Sequence, residues 1–197
     1  MTMLRTILTS ICLAVAVAGS AFAFPATYTF EGTGGGSITD AGGGITGFAG
    51  DFKFVFFADT TAIDTSAAPF YYLHNVGGTF TEGAFSATLT ATNTIVASAD
   101  PSLELINFFN SSVLNGLGGK NADLNGYDLS TSIGPLTLDP LTPTFLGGCF
   151  ATTDGGCIEM TSDRTLTFEA RVPEPATLAI LGLGLAGLGV MRRRRAA

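Results

Sequence analysis

In the stretch Gly47-Phe-Ala-Gly-Asp-Phe-Lys-Phe-Val-Phe-Phe-Ala-Asp59, Phe52, Phe54 and Phe56 alternate with Asp51, Lys53 and Val55. Successive side chains of an extended chain point to opposite faces, so this pattern predicts a β-strand with one aromatic face and one mixed face. The aromatic face has to be covered. Between the two ends of the chain no stretch carries apolar residues at helical spacing, so a second sheet is the expected cover. The expected fold class is all-β, an antiparallel β-sandwich or jelly roll.

The rest of the body reads the same way. Tyr28 and Phe30 alternate with Thr27, Thr29 and Glu31, which predicts a first strand, and Gly32 to Gly44, with two glycine triplets, reads as a flexible loop. Asp59 to Pro69 is rich in turn residues. Further strands are expected at Phe70 to Leu73, Thr79 to Thr90, Ile95 to Ala97, Leu103 to Phe109 and Ile133 to Leu138, followed by a connector bearing Pro140 and Pro143. In Arg164 to Arg171, Leu166, Phe168 and Ala170 alternate with Thr165, Thr167 and Glu169, so the body closes on a strand. Turn signals about every ten residues fit an antiparallel all-β layout.

Both ends of the chain are addresses. Arg5 followed by the apolar run Ile7 to Ala18 and the small-x-small triplet Ala21-Phe22-Ala23 reads as a signal peptide at 1–23, removed by signal peptidase to leave Phe24 first. At the other end, Pro173-Glu174-Pro175 precedes a charge-free run of 16 residues, Ala176 to Met191, and then Arg192, Arg193, Arg194 and Arg195. Proline has no amide donor and disfavours helix in the residue before it, so the prolines separate the body from a helix that starts at the second of them. Sixteen residues make a helix of about 24 Å, short for a hydrocarbon core of roughly 30 Å. Snorkelling arginines absorb such a mismatch. Arginines so placed stay on the cytoplasmic side, which leaves everything before Pro173 facing outward.

This order of parts resembles the PEP-CTERM sorting signal of Gram-negative, often exopolysaccharide-producing bacteria. The resemblance implies recognition of Pro173, Glu174 and Pro175 by exosortase, a membrane-embedded transpeptidase-like enzyme that processes the tail, with Arg192 to Arg195 as the cytoplasmic stop. It implies a protein held at the inner membrane through a transmembrane helix at 176–191, then displayed at the cell surface or released. The expected domains are the signal peptide at 1–23, an ectodomain at 24–171 and the sorting signal at 172–197. The layout of the body also resembles, loosely, a common type of PEP-CTERM ectodomain, and that likeness carries no functional residues.

Charge and residue types narrow what the body does. The chain's net charge of −7 includes five arginines and one glutamate in the two end segments, so the body carries −11, its basic residues being Lys53, Lys120, Arg164 and Arg171. So acidic a body lacks the footprint needed to bind a phosphate backbone, which argues against nucleic acid. Cys12 leaves with the signal peptide. Cys149 and Cys157 then form an even exported pair around a turn at Asp154-Gly155-Gly156, which reads as a disulfide closing a small loop. Zinc would need more ligands than these two and His74, the one histidine, provide.

Asn121-x-Asp123-x-Asn125-Gly126, with Asp128 adding an oxygen, resembles the first half of a calcium loop, but Ser132 stands where the bidentate glutamate belongs. The alternative is an Asn/Asp/Gly turn between strands. A hydrolytic triad would have to use His74, which sits at strand spacing beside Tyr71 and Tyr72, and the chain has no Gly-x-Ser-x-Gly elbow. Gly182 to Gly187 spells Gly-x-Gly-x-x-Gly inside an apolar run rather than between a strand and an amphipathic helix, so it is no dinucleotide site. Asn110-Ser111-Ser112 is a formal glycosylation sequon. The leading expectation is a non-enzymatic exported protein of the envelope or extracellular matrix without a cofactor. The alternatives are a glycan-binding module for exopolysaccharide, with or without calcium, and a secreted hydrolase.

Overall fold

Among the described residues, nine strands form one antiparallel sheet that closes on itself. The computed structural model describes residues 25–110, 115–140 and 148–173. The strands are β1 Ala26–Thr39, β2 Ile45–Ala58, β3 Phe70–Glu82, β4 Phe85–Ser98, β5 Leu105–Asn110, β6 Asn115–Lys120, β7 Ile133–Pro140, β8 Phe150–Ala151 and β9 Cys157–Arg171. They follow the order β1-β2-β3-β4-β5-β6-β7-β9-β8, and β1 also pairs with β9. The result is an eight-stranded barrel with the short β8 as an extra piece on β9. Short 3-10 turns occur at Thr60–Ala62 and Ala122–Leu124.

The expected sandwich is therefore corrected to a barrel. The aromatic face of β2 is covered, but by the far side of its own curled sheet. Phe54 and Phe56 of β2 lie 4.8 and 4.7 Å from the ring of Phe108 on β5, and Phe30 of β1 lies 4.6 Å from it. Eight strands leave an interior about wide enough for side chains to fill, and here phenylalanine fills it. Register places Phe168, Phe30, Phe54 and Phe80 side by side on β9, β1, β2 and β3, so the rings form one layer around the wall.

Gly32 to Thr39, expected as loop, belongs to β1 and pairs on both edges. The loop proper is Asp40 to Gly44, where the Asp40 carboxylate accepts from the Gly42 and Gly44 amides. Gly32 stands opposite Phe52 and Gly36 opposite Phe48, so a ring from β2 lies where each missing side chain would be. Bulges interrupt the β1–β9 ladder between Thr33 and Gly34 and between Gly35 and Gly36, where the wall bends. The expected strand Thr79 to Thr90 is in fact a hairpin, turning at Gly83 with φ +53° between β3 and β4.

The barrel wall forks. The second half of β4, Asn93 to Ala97, pairs with β5, while its first half meets the segment after β8 through a Leu89–Thr152 bridge and a 2.9 Å bond from the Thr153 amide to the Thr88 carbonyl. On the opposite side β9 pairs with β8 at its start and with β7 toward its end. Diverging strands lose ladder partners, and buried backbone groups need replacements. Two buried asparagines, register partners at the fork, supply them. Asn93 donates to the Val76 and Thr90 carbonyls, and Asn110 donates to Cys149 at 2.7 Å. Asn110, the sequon residue, is thus an interior structural amide.

Candidate functional site

The end of β9 brings the barrel to the expected sorting motif. Its alternation sends Leu166, Phe168 and Ala170 inward, and Arg171 ends the ladder opposite Thr27 of β1. Val172 follows, held by Ser132: its amide donates to Ser132 Oγ at 2.8 Å and its carbonyl accepts from the same hydroxyl at 3.1 Å. Pro173 is exposed. Because Thr27 and Arg171 are partners, the first strand enters and the last strand leaves at the same end of the barrel. Glu174, Pro175, the expected helix at 176–191 and Arg192 to Arg195 lie outside the described residues, as do Ala21, Ala23 and Phe24. Among the described residues no helix is long and apolar enough to cross a membrane.

The calcium-like stretch works mainly as a plug. Asn121 caps the 3-10 turn: its side-chain oxygen accepts from the Asp123 amide and its side-chain nitrogen donates to the Thr137 carbonyl. Gly126 takes φ +75°, and the Asp128 carboxylate accepts from the amide and hydroxyl of Ser130. The turns at Asn121, Asn125 and Asp128 point Leu124, Tyr127 and Leu129 into the barrel, all buried. Tyr28 Oη donates to the Leu129 carbonyl at 2.6 Å, tying the plug to β1. Burial, and next the Asp128 carboxylate, pushes the Tyr28 hydroxyl above its ordinary range, and burial does the same to Tyr127. Both phenols therefore stay protonated. Among the described residues no group of three or more His, Cys, Asp or Glu side chains is gathered in metal-binding fashion.

Cys149 and Cys157 are joined in a disulfide with Cα atoms 5.3 Å apart, and the expected turn at Asp154-Gly155-Gly156 lies within its loop. The loop delivers Phe150 into the barrel, 5.3 Å from Phe54. Asp154 accepts from the Thr152 hydroxyl and from the Gly156 amide, which lowers its carboxyl below the ordinary 3.8. A carboxylate whose folded value is depressed stabilises the fold above its unfolded value and loses that contribution as pH falls through the folded value. The expected result is that Asp154→Ala lowers the thermal midpoint relative to wild type at pH 6 and that the gap narrows as pH falls through the depressed folded value, as that linkage requires. Paired circular-dichroism melts across this window check it, and a gap that stays constant down to pH 2 would refute the assignment.

His74 stands on the outer face of β3. Its ring stacks on Tyr72 at 5.4 Å, Nε2 lies 3.6 Å from the Asp64 carboxylate and Nδ1 lies 3.3 Å from Thr94 Oγ1. This string ends on Thr94, which is only 1% exposed. A groove of about 420 Å³ crosses the outer face of β9, β1, β2 and β3, lined by Thr33, Asp51, Thr81 and Thr165 beside the Glu31–Lys53 ion pair. Phe52 is buried beneath it, so the groove offers hydroxyls and carboxylates but no open aromatic face.

The last strand of the closed barrel ends two residues before Pro173, where the expected sorting address begins. The address is shown by comparison: residues 171–195 match the family model of the PEP-CTERM protein-sorting motif. The chain therefore carries a PEP-CTERM sorting motif and is an exported protein targeted to exosortase. The match covers the tail and, of the barrel, only Arg171 and Val172. No curated protein and no solved structure matches the chain.

Proposed function

We propose that the barrel is a non-enzymatic cargo, held at the inner membrane by the tail and delivered to the cell surface or extracellular matrix when exosortase processes the chain near Pro173-Glu174-Pro175. The observation that carries this reading is the junction: the barrel's hydrogen bonding runs to Val172, inside the matched motif, and the Pro173-Glu174-Pro175 box begins at the next residue. An interior filled by phenylalanine and a histidine string that ends on buried Thr94 favour a structural or interaction role over catalysis.

The test is expression of the full chain, tagged in the barrel, with and without exosortase, followed by mass spectrometry of the C-terminus. Loss of Arg192 to Arg195 only when exosortase is present is expected, and replacing Pro173, Glu174 and Pro175 with alanine should abolish it. An intact arginine tail under both conditions defeats the reading.

A further inference from the structure

We propose that Ser132 sets the rate of tail processing by pinning Val172 into the barrel, so that an enzyme gains a grip on the chain upstream of Pro173 only when that latch opens. This rests on the exosortase reading above.

Three features of the junction lead to it. The backbone of β7 begins pairing with β9 at Ile133–Ala170, and the β1 ladder ends at Thr27–Arg171, so Val172 lies past the last backbone pair on both edges. The Ser132 hydroxyl takes over there, accepting from the Val172 amide and donating to its carbonyl, as a ladder partner would. Val172 also precedes a proline, which biases it to the extended conformation that lets one hydroxyl reach both of its polar groups. The ladder cannot continue beyond it, because Pro173 has no amide hydrogen. The pinned residue and the first residue of the recognition box are therefore adjacent.

Enzymes that act on a polypeptide backbone need a stretch of it free from structure, and their rate on a folded substrate follows the population of the open form when opening is fast. Ser132 is exposed and belongs to no core, so removing its hydroxyl opens the junction without emptying the barrel.

The experiment uses the full tagged chain with exosortase, following tail loss by mass spectrometry after a pulse of synthesis. Ser132→Ala is expected to speed processing about five- to thirtyfold, the ratio that loss of one or two hydrogen bonds gives, and Ser132→Thr, which keeps the hydroxyl, should match wild type. Inserting Gly-Ser-Gly-Ser between Val172 and Pro173 should give the fast rate and make Ser132→Ala neutral. Amide exchange supplies a readout independent of the enzyme: the Val172 amide should lose protection in Ser132→Ala while Phe30 and Phe168 keep theirs. Equal rates in wild type and Ser132→Ala, or a Val172 amide already unprotected in wild type, would overturn the latch alone. Absence of processing in every variant, the inserted one included, would remove the exosortase reading and the latch with it.

Discussion

Replacing Gly32 with alanine is expected to destabilise the barrel by about 3 to 5 kcal/mol, a large part of the 5 to 15 kcal/mol that holds a typical domain together. Gly32 lies in β1 between Leu166 of β9 and Phe52 of β2, where the wall closes. A Cβ there would stand 2.1 Å from the Thr165 carbonyl oxygen and 3.0 Å from the tip of the Phe52 ring. The ring can swing, but the carbonyl belongs to the ladder and cannot retreat without parting β1 from β9. Overpacking alone typically costs about 1 to 3 kcal/mol, and each ladder hydrogen bond lost adds about 0.5 to 1.5. Gly47 is the control, since its added Cβ would meet nothing nearer than 3.9 Å, and Gly47→Ala should stay within about 0.5 kcal/mol of wild type. Urea unfolding of the three proteins decides the matter. Equal midpoints for Gly32→Ala and Gly47→Ala would mean that the seam is looser than its geometry requires.

The same glycines explain what the sequence revealed and what it concealed. Period two is legible wherever side chains mark it, so β2, with Phe52, Phe54 and Phe56, and the second half of β9, with Leu166, Phe168 and Ala170, were readable in place. Composition alone made Gly32 to Gly44 a loop. Its first half in fact keeps the period, since Tyr28, Phe30, Gly32, Gly34, Gly36 and Ile38 alternate along β1, with Gly32 and Gly36 leaving room for rings from β2. The same stretch decides the fold class. An aromatic face can be covered by a second sheet or by the far wall of its own sheet, and the bend that selects the second is carried by glycines and bulges on a strand whose composition reads as flexible loop.

The candidate calcium stretch failed to read clearly for a related reason. Asn and Asp at alternate positions followed by glycine serve equally as ligands and as turn formers. In the fold Asn121 and Asp128 hold turns, and the residues between and beyond them, Leu124, Tyr127 and Leu129, plug the barrel. The disulfide needed only cysteine count, export and a turn, and was legible from those. The Ser132 latch was not, because a hydroxyl 40 positions from Val172 in sequence leaves no local signal.

Phe54→Ala is expected to cost about 3 to 5 kcal/mol, the usual range for removing a buried phenylalanine, and to cost more than any other single truncation of a β2 ring. Phe54 has no exposed surface, and its ring lies 4.8 Å from Phe80, 4.8 Å from Phe108 and 5.3 Å from Phe150. Those partners come from β3, from β5 across the barrel and from β8 inside the disulfide loop, so the cavity opens where three separately anchored segments converge. Such a site collapses poorly, because closing the gap from one side widens it on the others, and the cost rises with the residual cavity. Phe85, 37% exposed, supplies the contrast: Phe85→Ala should cost about 1 kcal/mol or less. Urea midpoints measure both. Phe54→Ala should also weaken the hold on β8, seen as faster amide exchange at Phe150 than at Phe168, since Phe150 loses a neighbour from β2 while Phe168 keeps Phe30 at 5.0 Å. Uniform exchange at the two positions would mean that β8 is held by its disulfide and backbone bonds alone, and that the fork in the barrel wall does not depend on the aromatic core beneath it.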